Sequence, residues 1–205
     1  MQNKFRVMTV LFEGFELLDV FGPLEMFGTS EERFDIKLVS QQGTPVKSSQ
    51  GPVSVVDFSF SDKVETDILL IPGGAGTKKE IHNTILIEWL KSKSENCQYV
   101  ASVCNGAVLL AKAGLLNNKR ATTNKMDFKW VMTHGSEVNW VREARWVEDG
   151  NYFTSSGVSA GMDMSLALIS KLFGESVADD VAIRAEYSRE KNAGNDPFAK
   201  LYGLV

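Results

Sequence analysis

Tyr99-Val100-Ala101-Ser102-Val103-Cys104-Asn105-Gly106-Ala107-Val108-Leu109-Leu110 reads as a β-strand that turns abruptly into a helix. Tyr and Val suit the pleated surface of a strand, and the run from Asn105 to Ala113 is apolar with helical spacing and closed by Gly114. A sharp strand–turn–helix with small residues around one central side chain is the geometry of a nucleophile elbow, which exposes that side chain above a helix N-terminus. Ser102 and Gly106 supply the small neighbours of Cys104. The helix dipole and nearby amides favour a thiolate there, so the pattern predicts a lowered pKa for Cys104. The competing reading of the same residue is a small buried apolar thiol.

Working outward, short β-rich runs alternate with longer helical patterns, as in a parallel sheet covered by helices. Strands are expected at Phe5–Phe12, Phe34–Ser40, Ile68–Ile71, Tyr99–Val103 and Tyr152–Ser155. Helices are expected to start at Pro23–Phe27, to span Lys79–Lys93 with Ile81, Ile85 and Trp89 on one face, and to cover Lys125–His134 and Ala160–Phe173. Gly43–Asp57 and Val138–Glu148 read as hairpin excursions from the core. No repeat or linker divides residues 1–205, so one α/β sandwich domain is expected. In open sheets of this kind the working site lies beyond the carboxyl ends of the strands.

Two other loops fall at such ends. Pro72-Gly73-Gly74-Ala75-Gly76 offers backbone N–H groups without side chains, as an oxyanion cradle requires, or else is simply a tight turn. It lacks the Lys-Ser/Thr ending of a phosphate loop. Asp19 stands in the apolar stretch Leu17-Leu18-Asp19-Val20-Phe21; desolvation there would raise its pKa and make it a proton donor, unless it serves as a helix cap.

Composition excludes more than it assigns. A formal net charge of −4 over 205 residues leaves no basic surplus for nucleic acid, and no apolar run is long enough for a membrane span or a signal segment. The protein is therefore expected to be cytosolic. Cys97 and Cys104 would lie roughly 20 Å apart along one strand, too far for a disulfide. Of the two histidines, His82 falls on the polar side of a helix and His134 at a helix end, so neither completes a Cys–His pair. No metal-ligand spacing is present, and neither a metal nor a cofactor is expected.

The chain resembles the DJ-1/PfpI superfamily over nearly its whole length, closest to its isonitrile hydratase-like branch. The resemblance rests on Gly14-Phe15-Glu16-Leu17-Leu18-Asp19-Val20-Phe21-Gly22-Pro23, Pro72-Gly73-Gly74-Ala75-Gly76 and Val103-Cys104-Asn105-Gly106. It extends to Ala113-Gly114-Leu115-Leu116, Arg120-Ala121-Thr122-Thr123 and Gly157-Val158-Ser159-Ala160-Gly161-Met162-Asp163. It implies a flavodoxin-like three-layer sandwich, commonly homodimeric, with Cys104 at the elbow and Asp19 as its acidic neighbour. In isonitrile hydratases such a cysteine attacks the terminal carbon of R–N≡C, the aspartate handles the proton, and water releases an N-substituted formamide. Asn105 stands where Thr is frequent in those enzymes and His in peptidase-like members, and Asn124 where a histidine is usual. Both departures argue against peptidase or amidotransferase chemistry.

Two functions follow as expectations. The first is a cofactor-free hydratase or lyase for a small electrophile, with Cys104 as nucleophile and Asp19 as general acid/base. Asn105 with the Gly73 and Gly74 amides would form the polar cradle, and Val158 and Ser159 the pocket wall. The alternative is a non-catalytic sensor or ligand-binding protein whose reactive Cys104 is oxidised or occupied.

Overall fold

The computed structural model describes residues 4–205; the reading of the extreme N-terminus falls partly on residues 1–3, outside the described residues. Seven strands form the central sheet: β1 (Phe5–Leu11), β2 (Phe34–Ser40), β3 (Phe58–Ser59), β4 (Ile68–Ile71), β5 (Tyr99–Ser102), β6 (Trp146–Asp149) and β7 (Tyr152–Ser155). Their order is β6-β7-β5-β4-β1-β2-β3, with every neighbouring pair parallel except β6–β7. The five strands expected from the sequence run β2-β1-β4-β5-β7 across the sheet, which is the flavodoxin-like order. All four residues of β4 are buried, as expected for a central parallel strand covered on both faces.

Among the described residues, five helices of six residues or more accompany the sheet: α1 (Leu17–Gly28), α2 (Thr84–Ser94), α3 (Ala107–Lys112), α4 (Ala160–Phe173) and α5 (Glu175–Arg184). α4 has the expected limits and stops at Gly174, whose φ of +95° a residue with a Cβ rarely adopts. Among the described residues, no helix is long and apolar enough to cross a membrane.

Three expectations are corrected. α1 begins at Leu17, not near Pro23, so Asp19 lies inside its first turn and is not a cap; Glu16 precedes the helix. The span Lys79–Lys93 is two pieces: a helical turn Thr77–Glu80, then α2, restarted by Asn83, whose side chain accepts the Leu86 N–H at 3.2 Å. The restart resets the phase, so Leu86 and Leu90 are buried while Ile85 stays exposed. Finally, part of the Val138–Glu148 excursion joins the main sheet as β6, turned back onto β7 at Gly150, which has φ +64°. The Gly43–Asp57 excursion does contain a small hairpin, Val46–Lys47 against Val53–Ser54.

Candidate active site

β1, β4 and β5 end side by side, and the loops that leave them converge where the strand order reverses. At the end of β5 the chain passes through Val103 into Cys104, which adopts φ +57° and opens a single 3-10 turn, Cys104–Gly106, leading into α3. A β-carbon on Gly106 would come within 2.6–2.7 Å of the Pro72 and Ile71 carbonyl oxygens, so the elbow requires glycine there. The turn is fixed from outside: the Cys104 N–H donates to the Ser156 carbonyl (3.1 Å), and the Thr123 hydroxyl donates to the Cys104 carbonyl (2.9 Å).

The thiol is buried, and the Asn105 and Val158 backbone N–H groups point at its sulfur. Burial and the neighbouring Asp19 carboxyl nevertheless push the Cys104 pKa well above the ordinary thiol value, outweighing those two amides. The expected lowering is thus reversed, because the sulfur is desolvated and faces an acid.

Asp19 is fully buried. Desolvation raises its pKa to about 7, against the opposing hydrogen bond from Gly73 and with a smaller upward push from Glu16; the Cys104 thiol acts on it as a donor. Asp19 Oδ2 accepts the Gly73 N–H at 2.9 Å, whereas Oδ1 is buried with no hydrogen-bond partner of ordinary geometry. The sequence-based expectation of a desolvated acid agrees with this placement.

The glycine loop works differently from the cradle expected of it. Gly73 gives its N–H to Asp19, and Gly74 gives its N–H to Asn105 Oδ1 (2.8 Å). Both amides are therefore engaged by the protein's own side chains, and the amides facing the sulfur are those of Asn105 and Val158. The Asn105 side chain is turned away from a cradle as well, since its Nδ2 donates to Asp127 Oδ2 at 3.0 Å. Val158 contributes its backbone from a strained conformation, φ +42°, rare for a β-branched residue. Ser159 Oγ accepts a long hydrogen bond (3.5 Å) from Arg145 Nη2, whose guanidinium is already paired with the buried Asp163.

Sequence reasoning missed Asp127. It accepts hydrogen bonds from Asn105 and, at 3.1 Å, from Asn124 Nδ2, and its charge adds to the upward push on Cys104. The only sequence trace of this is an acid three residues past Asn124. Both histidines lie away from the sulfur. His82 lines a separate cavity of about 440 Å³ with Leu11, Ser40 and Leu86, and His134 packs edge-on against Trp130.

The DJ-1/PfpI family model matches residues 5–171. The chain belongs to the DJ-1/PfpI family. Among its relatives within that family, an isonitrile hydratase of Pseudomonas putida is 34% identical over 179 residues, covering 87% of this chain and 77% of the relative. A deglycase of Thermococcus kodakarensis is 30% identical over 152 residues, covering 73% of this chain and 89% of that one. The crystal structure of a ThiJ/PfpI family protein from Pseudomonas syringae superposes with a TM-score of 0.84 at 27% identity, covering 99% of this chain and 86% of the other. Like that neighbour, this DJ-1/PfpI protein has a mostly parallel α/β sandwich.

Proposed function

We propose that this DJ-1/PfpI protein is a cofactor-free, cysteine-dependent hydratase that converts small isonitriles to N-substituted formamides. The observation that carries the reading is the juxtaposition of Cys104 with the buried Asp19, whose pKa stands near 7, so that one proton passes between thiol and carboxylate without an imidazole. The similarity to an isonitrile hydratase supports the choice of electrophile.

The chemistry balances on these two groups. Ionised Asp19 takes the thiol proton as the sulfur attacks the terminal carbon of R–N≡C, forming the C–S bond. Asp19 returns that proton to the same carbon, leaving a thioimidate, R–N=CH–S–Cys104. Water then adds, its hydroxyl to carbon through Asp19 as base and its proton to nitrogen. Collapse of the adduct breaks the C–S bond, releases R–NH–CHO and restores the thiol. The Asn105 and Val158 amides stabilise the sulfur whenever it carries charge.

A thiol pKa pushed upward favours the hydratase reading over the oxidant-sensor alternative, since peroxide reacts with the thiolate and the hydratase has Asp19 to take the thiol proton. Exposed Leu18 and Phe21 on α1 form an apolar face beside half-buried Met162, which supports a homodimer for the working protein. The direct test follows formamide production from a small alkyl isonitrile by wild type, Cys104→Ala and Asp19→Asn. Cys104→Ala is expected to be inactive and Asp19→Asn strongly impaired, and turnover surviving in Cys104→Ala overturns the mechanism.

A further inference from the structure

Around Cys104 the charged groups are unequally available. Two carboxylates act on the thiol, the buried Asp19 next to it and Asp127 beside Asn105. The nearby cations are already committed. Lys125 Nζ is buried and donates to Thr122 Oγ1 (2.8 Å) and the Ala144 carbonyl (2.7 Å), with Asp196 as its ion-pair partner at 3.4 Å. The Arg145 guanidinium is paired with Asp163. Asp19 is fully buried, and Asn105 and Asn124 are nearly so, whereas Asp127 keeps contact with solvent.

Asp127 is also held in place. Asn105 and Asn124 each give it an amide N–H. Asn105 cannot reverse its amide without setting Nδ2 against the Gly74 N–H and Oδ1 against the Asp127 carboxylate, a donor–donor and an acceptor–acceptor clash at once. A fixed negative charge thus stands one side chain away from the residue that bears the sulfur, in surroundings that screen it less than bulk water does.

We propose that Asp127 is a specificity-determining residue that sets the charge preference of the Cys104 site, admitting neutral electrophiles and repelling anionic ones. This deepens the hydratase reading and rests on Cys104 being the nucleophile. It places the substrate among uncharged molecules and excludes those bearing a carboxylate or phosphate near the reacting carbon.

The test uses iodoacetamide and iodoacetate, reagents of similar size that both lose iodide to the thiolate and differ in charge. Rates of Cys104 alkylation are followed by mass spectrometry, with 2-mercaptoethanol as the free-thiol reference. Wild type is expected to prefer iodoacetamide about tenfold more strongly than the reference thiol does. Asp127→Asn, which keeps a carbonyl acceptor for both asparagine amides, is expected to shrink that excess at least about threefold, and high salt to narrow it in wild type. Asp127→Ala removes charge and acceptor together; matching preference ratios in the two variants show that charge, and not the hydrogen bonds, sets the selectivity.

A preference unchanged in Asp127→Asn overturns the proposal, as does failure of iodoacetamide to alkylate wild-type Cys104. Normal alkylation selectivity without isonitrile turnover overturns the hydratase reading and leaves the charge filter standing.

Discussion

Asp19 keeps its proton in the folded protein up to about pH 7, against an ordinary value of 3.8. The folded state therefore binds more protons than the unfolded chain between those pH values, and its stability falls as pH rises from about 4 through 7. At roughly 1.4 kcal/mol per pH decade, the buried charge costs on the order of 4 kcal/mol above neutrality. Asp19→Asn keeps an acceptor for the Gly73 N–H and removes that charge. It is expected to raise the melting temperature at pH 8 and leave it nearly unchanged at pH 4.5, while lowering isonitrile hydration about 10²–10⁴-fold. Equal melting temperatures for variant and wild type at pH 8 would show that the fold does not raise the Asp19 pKa. In wild type, kcat/KM is expected to rise with pH along a limb centred near 7, because attack needs Asp19 ionised to receive the thiol proton; a flat profile from pH 5.5 to 8.5 rules out that role. The same removal of negative charge moves the pH dependence of Cys104 alkylation downward, so in Asp19→Asn reactivity toward iodoacetamide and turnover change in opposite directions.

At the scale of elements, Val158 separates a backbone role from a side-chain one. Its N–H faces the sulfur, and its φ of +42° costs a β-branched residue about 1–3 kcal/mol. Val158→Gly keeps the N–H and relieves the strain, at an entropic cost of about 0.5–1 kcal/mol in the unfolded chain. Unfolding in urea is expected to show a net gain of about 1 kcal/mol, with activity within a few-fold of wild type; a tenfold loss of activity would mean that the side chain shapes the pocket after all. Gly74→Ala should have the opposite effect, because φ is +126° and its new β-carbon would collide with the Gly14 carbonyl and the Glu16 N–H. The two cases mark what a sequence can reveal. The strands and the elbow were legible because apolar runs ending in small residues have few other uses, and Asp19 because a carboxyl amid leucines must be desolvated. The engagement of the Gly73 and Gly74 amides was not legible, since glycines announce an open backbone but not the partner that fills it. Asp127 stayed hidden for a related reason: its hydrogen bonds to Asn105 and Asn124 depend on how two loops meet. β6 was missed because charged Glu148 and Asp149 mask an edge strand that the turn at Gly150 brings home.

Across the whole molecule, the segment after α5 is tied to the back of the elbow by a buried ion pair. Lys125 Nζ and Asp196 Oδ2 are 3.4 Å apart with both side chains shielded from solvent, and the same lysine donates to Thr122, next to the Thr123 that anchors the Cys104 carbonyl. Around this pair, Ala199 and Leu204 pack with Phe128 in a small second core. Burial lowers the Lys125 pKa to about 8, with Asp196 pulling the other way. A lysine whose folded pKa lies below its unfolded value makes the fold less stable while it is charged, and stability returns as pH rises from about 8 toward 10.5. Asp196→Asn leaves the ammonium buried without its counter-charge, which typically costs about 3–5 kcal/mol. Urea unfolding at pH 7 should show that loss, and at pH 9, where Lys125 gives up its proton more readily, the deficit should shrink. The double variant Lys125→Met with Asp196→Leu replaces the pair by apolar groups of similar size and is expected to recover most of the stability. Because the lysine also steadies the threonines behind Cys104, Asp196→Asn should slow Cys104 alkylation as well, whereas a variant indistinguishable from wild type at pH 7 would mean that the C-terminal segment packs on the domain without supporting its site.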